Sequence, residues 1–150
     1  MGQSLSNILI HGVFSTKNRT PWISYGIRPK LHAYLGGILR NQGCCPLEIG
    51  GVEDHVHVLF ILARTVTVAG GISILKANSS RWLKSQGHDL EPFQWQTGYG
   101  AFSVDSSQVE VVRHYIREQE SHHRQACFQE EYRSFLREHG IQFDEKYVWD

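Results

Sequence analysis

The sequence predicts an α+β fold: a ferredoxin-like (RRM-like) antiparallel sheet with helices packed on it. Its elements succeed one another as strand, helix, strand, strand, helix, strand, helix, which is the split βαβ order. With 150 residues, 41% of them apolar and 20% charged, the chain is neither disordered nor fibrous. At that length folding buries about 70% of the unfolded chain's surface, so one domain over residues 1–150 is expected, and no disulfide or metal is needed for stability. A metal site here would therefore serve function.

Each element follows from local pattern. Asn7 to Phe14 alternates Ile8, Ile10, Gly12 and Phe14 against Leu9, His11 and Val13, the period of a strand. After a turn over Ser15 to Pro21, Ile27, Leu31, Tyr34, Leu35, Ile38 and Leu39 recur at three and four residues and stop near Gly43, a helix with a glycine terminus. Residues 45–52 and 55–62 are extended apolar runs joined by Glu53-Asp54, which predicts a hairpin. From Thr65, an available N-cap, to Lys84 a second helix carries Ile72, Leu75, Trp82 and Leu83 and no acid; Gly70-Gly71 argues for a start later than Thr65. Gln86 to Gly100 is a loop and Ala101 to Val104 a short strand. One helix then runs from about Ser107 to His123, capped by Asp105 or Ser106, and another from Phe128 to His139, closed by Gly140. Ile141 to Asp150 reads as extended.

Charge and cysteine content narrow the function classes. Fifteen basic and fifteen acidic residues give zero net charge, yet residues 1–88 hold nine of the basic residues and three of the acids, +6 against −6 for the remainder. A basic half suits a phosphate-binding face, and it also suits simple solubility. Cys44 and Cys45 are neighbours and Cys127 stands alone, so no disulfide framework is read from the sequence and a reducing, cytoplasmic compartment is expected. No apolar run approaches a membrane span, and the N-terminus lacks a signal-peptide layout. Met1-Gly2 with Ser6 matches a myristoylation pattern, but the strand pattern beginning at Ile8 and the missing polybasic stretch argue against an anchor.

The chemistry concentrates in two places. His55-Val56-His57 lies in the second hairpin arm, where alternation puts both imidazoles on one face. Neutral imidazole is a common ligand for divalent metals; a lone His-x-His pair equally suits a half-exposed surface strand. Tyr115 and Gln119 stand four residues apart on one helical face, where they are read either as a site or as a packed tyrosine beside a solvated glutamine.

Taken together, these stretches resemble a known family, the single-tyrosine transposases of small bacterial insertion sequences, in the HUH endonuclease superfamily, including relatives associated with repetitive extragenic palindromes. The resemblance rests on His11-Gly12-Val13-Phe14-Ser15-Thr16-Lys17-Asn18-Arg19, Gly50-Gly51-Val52-Glu53-Asp54-His55-Val56-His57, Leu75-Lys76-Ala77-Asn78-Ser79-Ser80-Arg81-Trp82 and Tyr115-Ile116-Arg117-Glu118-Gln119. It implies the HUH fold, Mg²⁺ or Mn²⁺ held by His55, His57 and Gln119, and Tyr115 as a nucleophile that cuts single-stranded DNA through a 5′-phosphotyrosine link and rejoins it. Relatives with two tyrosines carry the second where Gln119 stands here, so the single-tyrosine type is implied, and with it a homodimer acting on DNA with a hairpin near the cleavage point.

On that reading Lys17, Arg19, Lys76, Arg81 and Lys84 are candidates for backbone contacts. Trp82, Trp95, Tyr99 and Phe102 either stack on bases or sit in the core. His11, His114, His122 and His123 are expected at the surface, His122 and His123 alternatively beside the site; Glu53 and Asp54 either make the turn or steer the metal. The competing readings are a metal-dependent hydrolase using the same His pair without a covalent tyrosine, and a catalytically silent, domesticated DNA-binding protein. A bacterial cytoplasmic protein, at the nucleoid when bound to DNA, is expected.

Overall fold

In the computed structural model, which describes residues 2–150, four strands form one antiparallel sheet: β1 Leu9–Ser15, β2 Cys45–Gly51, β3 His55–Ile61 and β4 Gly100–Val104. The order across the sheet is β2-β3-β1-β4, the ferredoxin-like arrangement that the element order predicts. Helices α1 Arg28–Asn41 and α2 Val68–Lys84 pair with the sheet as crossovers, followed by α3 Val109–Arg117, α4 Gln119–His123 and α5 Phe128–Glu138.

Strand alternation divides the interior into two layers. Ile10 and Phe14 of β1 with Val56, Val58 and Phe60 of β3 pack against Leu31, Leu35 and Leu39 of α1 and Ile72, Leu75 and Leu83 of α2. The opposite face presents Val13 and Phe102 to Phe128, Tyr132 and Leu136 of α5. His11, His55 and His57 share this second face and are buried there, between an apolar cluster and α3 to α5 rather than at the surface. The register sets Val13 opposite His57 and Ser15 opposite His55, so the His pair stands on a central strand and inherits its rigidity.

Two glycines position the site. Gly51 has φ +153, and a Cβ there would collide with the His55 carbonyl, so the tight hairpin before His55 requires glycine. At Gly50 a Cβ would lie 2.5 Å from the Ile116 carbonyl oxygen; the bare backbone lets α3 approach β2 and brings its tyrosine over the sheet. Gly50→Ala is expected to cost about 1–3 kcal/mol, the range for overpacking, read as a lowered Tm. Unchanged stability would show that α3 does not need this close approach.

Helix α2 begins at Val68, later than Thr65 as the glycine pair argues, and is capped by Thr67, whose Oγ1 accepts from the Gly70 amide at 3.0 Å. The structure departs from sequence expectation at two places. The helix expected over 107–123 opens as a 3₁₀ turn at Ser106–Gln108 and breaks at Glu118, where φ −93, ψ 20 separates α3 from α4. The break leaves Ile116 against Gly50 while Gln119, 1% exposed, reaches the site; its buried hydrogen bonds outweigh helix continuity. Residues 141–150 form no strand: Phe143, Val148 and Trp149 dock on the second apolar cluster instead, where their apolar surface is removed from water.

Candidate active site

The site is built around one buried carboxylate. Glu131 projects from α5 and is 4% exposed. Its Oε1 lies 3.0 Å from His57 Nε2, 3.3 Å from His55 Nε2 and 3.2 Å from His123 Nε2. Its Oε2 accepts from the Tyr115 hydroxyl and, at 3.0 Å, from Gln119 Nε2. Gln119 Oε1 in turn meets His55 Nε2 at 2.9 Å. Strand β3, the α3–α4 break and α5 thus bring His55, His57, Tyr115 and Gln119 to a single point, although 58 to 64 residues separate the first and last pairs in sequence.

The outer nitrogens of the imidazoles are also engaged. His55 Nδ1 lies 2.7 Å from Asp54 Oδ1, and His57 Nδ1 lies 2.8 Å from His11 Nε2. Such partners fix ring orientation, as they do for metal-binding histidines. Asp54 therefore orients a histidine besides shaping the turn, whereas Glu53 is directed to Arg28 at 3.8 Å.

Charge in the cluster follows from burial and these contacts. Burial alone pushes His55 down, but its hydrogen bonds to Asp54 and Glu131 outweigh this and raise its pKa to about 9. For His57, burial dominates and the pKa is lowered; burial and the neighbouring His57 lower that of His11 as well. Although burial pushes the Glu131 carboxyl up, His57, His123 and His55 hold it well below the usual carboxylate range. Burial and the Glu131 charge push the Tyr115 phenol above its ordinary value, so it is a neutral hydroxyl at physiological pH. A phenol in that state needs an electrophile polarised by a cation. The donor set suits a cation: His55, His57, His123 and Glu131 each offer one ligand atom, all within 4.8 Å of one another. A cleft of about 360 Å³, bounded by His11, His122, Glu131 and Phe135, opens beside Tyr115 and gives access to it.

Residues 4–119 match the family described as "Transposase IS200 like". The chain belongs to this transposase family. Solved structures agree in fold. A "putative transposase" from Deinococcus radiodurans superposes with a TM-score of 0.62 at 19% identity, covering 79% of this chain and 96% of that one. A REP-associated tyrosine transposase bound to a REP hairpin gives 0.59 at 11% identity, covering 82% of this chain and 74% of that one. No curated protein matches the chain.

The basic residues singled out in the transposase sequence lie elsewhere. Lys17, Arg81 and Lys84 are exposed and Arg19 is partly so, all on the half of the molecule that carries the first loop and α2. Lys76 is half-buried: its Nζ donates to the carbonyls of Thr97 at 3.0 Å and Gly98 at 2.8 Å, and burial lowers its pKa to about 8. It ties α2 to the loop before β4. Of the aromatics, Trp95 and Phe102 are core residues, Trp82 stacks on Tyr34 with ring centroids 4.7 Å apart, and Tyr99 is 37% exposed. No helix among the described residues is long and apolar enough to cross a membrane.

Sequence reading missed Glu131, assigned His11 to the surface, and left His123 either at the surface or beside the site, where the structure puts it. A signal for Glu131 was present. Phe128, Tyr132, Phe135 and Leu136 form the apolar stripe of α5, and Glu131 lies within it; a carboxylate on a buried helix face must find a cationic or hydrogen-bonding partner. For His123 the signal was its place about one helical turn after Gln119, which allowed a position beside the site; the fold then brings its ring to that of His55, with centroids 4.4 Å apart.

Proposed function

We propose that this transposase cuts and rejoins single-stranded DNA through a covalent tyrosine intermediate. The observation that carries the reading is the convergence of Tyr115 and Gln119 on His55 and His57 in one cleft. The Tyr115 Oη attacks phosphorus, the bond from phosphorus to the 3′ oxygen breaks, and that oxygen leaves with a proton as a 3′-OH while the 5′ phosphate stays on Tyr115. Attack by a different 3′-OH reverses the step and restores the hydroxyl of Tyr115. Phosphodiester energy is conserved throughout, so no nucleotide cofactor is required.

Mg²⁺ or Mn²⁺ bound at His55, His57 and Gln119 would neutralise charge on the scissile phosphate. The chain's own residues do the rest. Asp54 and His11 hold the imidazoles in register, Gln119 bridges His55 and Glu131, and the α3–α4 break presents the phenol to the cleft. Because Tyr115 lies against the histidines of its own chain, with its ring centroid 5.8 Å from that of His57, the reading favours attack in cis. Two strand transfers need two tyrosines and hence two copies of the chain.

The DNA substrate is read as a strand with an adjacent hairpin, in keeping with the hairpin bound by the similar REP-associated protein. Lys17, Arg19, Arg81 and Lys84 supply sequence-independent phosphate contacts, with Lys76 the least available of the five candidates. Arg81→Ala and Lys84→Ala should each weaken hairpin binding across sequences and reduce the salt slope by about one per lost phosphate contact, measured by mobility shift over a salt series. An unchanged slope in both would remove α2 from the interface.

Incubation of the protein with Mn²⁺ and labelled single-stranded hairpin DNA, followed by denaturing electrophoresis, tests the reading. A labelled band at the mass of the protein is expected. Cleavage without that band would instead indicate a hydrolase that uses water, and binding without cleavage a silent DNA-binding protein.

A further inference from the structure

We infer that the cleft between α3 and α5 is a slot for the unpaired nucleobase just 3′ of the cleavage point, and that it selects a base carrying an amino group. The inference rests on the functional reading above and names the part of the DNA that the cleft receives.

The slot is continuous with the nucleophile. Val111, Val112 and Tyr115 of α3 line one side of the cleft, and Ser134, Phe135 and Glu138 of α5 the other. Each set recurs at three and four residues and so shares one face of its helix. A volume of about 360 Å³ stands at the small end of the roughly 300–1,000 Å³ of ligand sites, room for one nucleoside. Glu131 and Glu138 line the cleft, and among the described residues no Lys or Arg does. Two carboxylates repel a phosphate, so the sugar–phosphate backbone is kept out and a flat, uncharged group is admitted.

Phe135 is held ready for stacking. Its ring lies on that of Phe102, with centroids 5.3 Å and planes 22° apart, and meets His11 and Tyr115 edge-on at 5.1 and 5.7 Å. Braced by these rings, it remains partly exposed along the cleft and loses little freedom when a base covers it. Val111, 62% exposed, forms an apolar lip that a bound base removes from water.

In-line displacement decides which base enters. Tyr115 Oη attacks opposite the departing 3′ oxygen, so the nucleoside on that oxygen points away from Tyr115. The nucleoside joined through its 5′ oxygen lies to the side of the phosphorus, next to Tyr115, and stays tethered there after cleavage. A slot lined by Tyr115 itself is within reach of this base before and after the bond breaks. At the mouth, the Ser134 hydroxyl donates to Glu138 Oε1 at 3.4 Å. The carboxylate has acceptor capacity left for the amino group of cytosine, adenine or guanine, which thymine lacks.

The test uses the full-length protein, Mn²⁺ and a pool of labelled single-stranded hairpin DNA with randomised flanks, the covalent product being sequenced after proteolysis. Thymine at the first nucleotide on Tyr115 should fall at least about fivefold below its share of the pool, the low end for one base contact, and Glu138→Ala should restore it. In one recovered sequence, an abasic residue at that position should slow adduct formation about tenfold or more, as expected for one stacked base, and an abasic residue on the 5′ side of the cut should slow it less. Phe135→Ala should slow the reaction of intact DNA about tenfold and add no further loss on the abasic strand. If Phe135→Ala fails to fold, Val111→Asp, at an exposed position, should give the same pattern. Equal losses from these variants on intact and abasic DNA, or a larger loss from the abasic residue on the 5′ side, would overturn the slot and leave the tyrosine chemistry intact. Thymine at its pool share in the native adduct would overturn the selection for an amino group. No adduct from any member of the pool would overturn the functional reading, and the slot with it.

Discussion

Tyr115→Phe should leave the transposase folded and still able to bind hairpin DNA, yet unable to form the labelled covalent band. Only one oxygen is removed. The ring keeps its packing against His57 and Phe135, and Glu131 Oε2 keeps the Gln119 amide as a donor. The stability cost is therefore that of one hydrogen bond, about 1 kcal/mol. The chemical cost is total for the adduct, and strand cleavage should fall by about 10⁴-fold or more, the scale lost when a nucleophile is removed. Denaturing electrophoresis reads the adduct, and mobility shift on the same samples reads binding. If the mutant cleaved DNA at the native rate, water would be the nucleophile and the tyrosine assignment would fall.

His57→Ala should abolish metal-dependent cleavage and, separately, the response of the fold to metal. The imidazole sits between His11 and Glu131 on the central strand, so its removal deletes one inward nitrogen and leaves the remaining donors less well oriented. Mn²⁺ binding should weaken at least about 100-fold. The native protein at a metal concentration of 100 times its Kd gains about 2.7 kcal/mol, a rise in Tm of roughly 5–10 °C for a chain of this size. The variant at that concentration should show almost none. It should also be less stable without metal, because a partner is taken from a buried carboxylate; His55 and His123 remain beside Glu131, which keeps the loss below the roughly 3–5 kcal/mol of a fully stranded buried charge. Thermal melts with and without Mn²⁺ separate the two effects. A metal-induced shift of native size in His57→Ala would place the metal elsewhere.

Much of this molecule was legible in its sequence because local rules act over short spans. Alternation in β1 and β3 assigned His55 and His57 to one face, and four-residue spacing put Tyr115 and Gln119 together on another element. The order of elements then gave the antiparallel sheet, and the charge split marked the first loop and α2 as basic. What sequence patterns alone do not specify is the depth of the site. His11 and His123, which any composition rule sends to the surface, are drawn inside because the apolar stripe of α5 closes over the second face of the sheet. Glu131 is carried in with that stripe, and three imidazoles converge on its carboxylate from strands and helices 8 to 76 residues away in the chain. The break at Glu118 likewise has no strong local cause. It forms where the hydrogen bonds of buried Gln119 to His55 and Glu131 outweigh the continuity of one helix. Periodicity thus determined which residues share a face, while the meeting of those faces, and the buried charge network it creates, was decided by tertiary packing, since long-range contacts and desolvation have no signature in neighbouring residues.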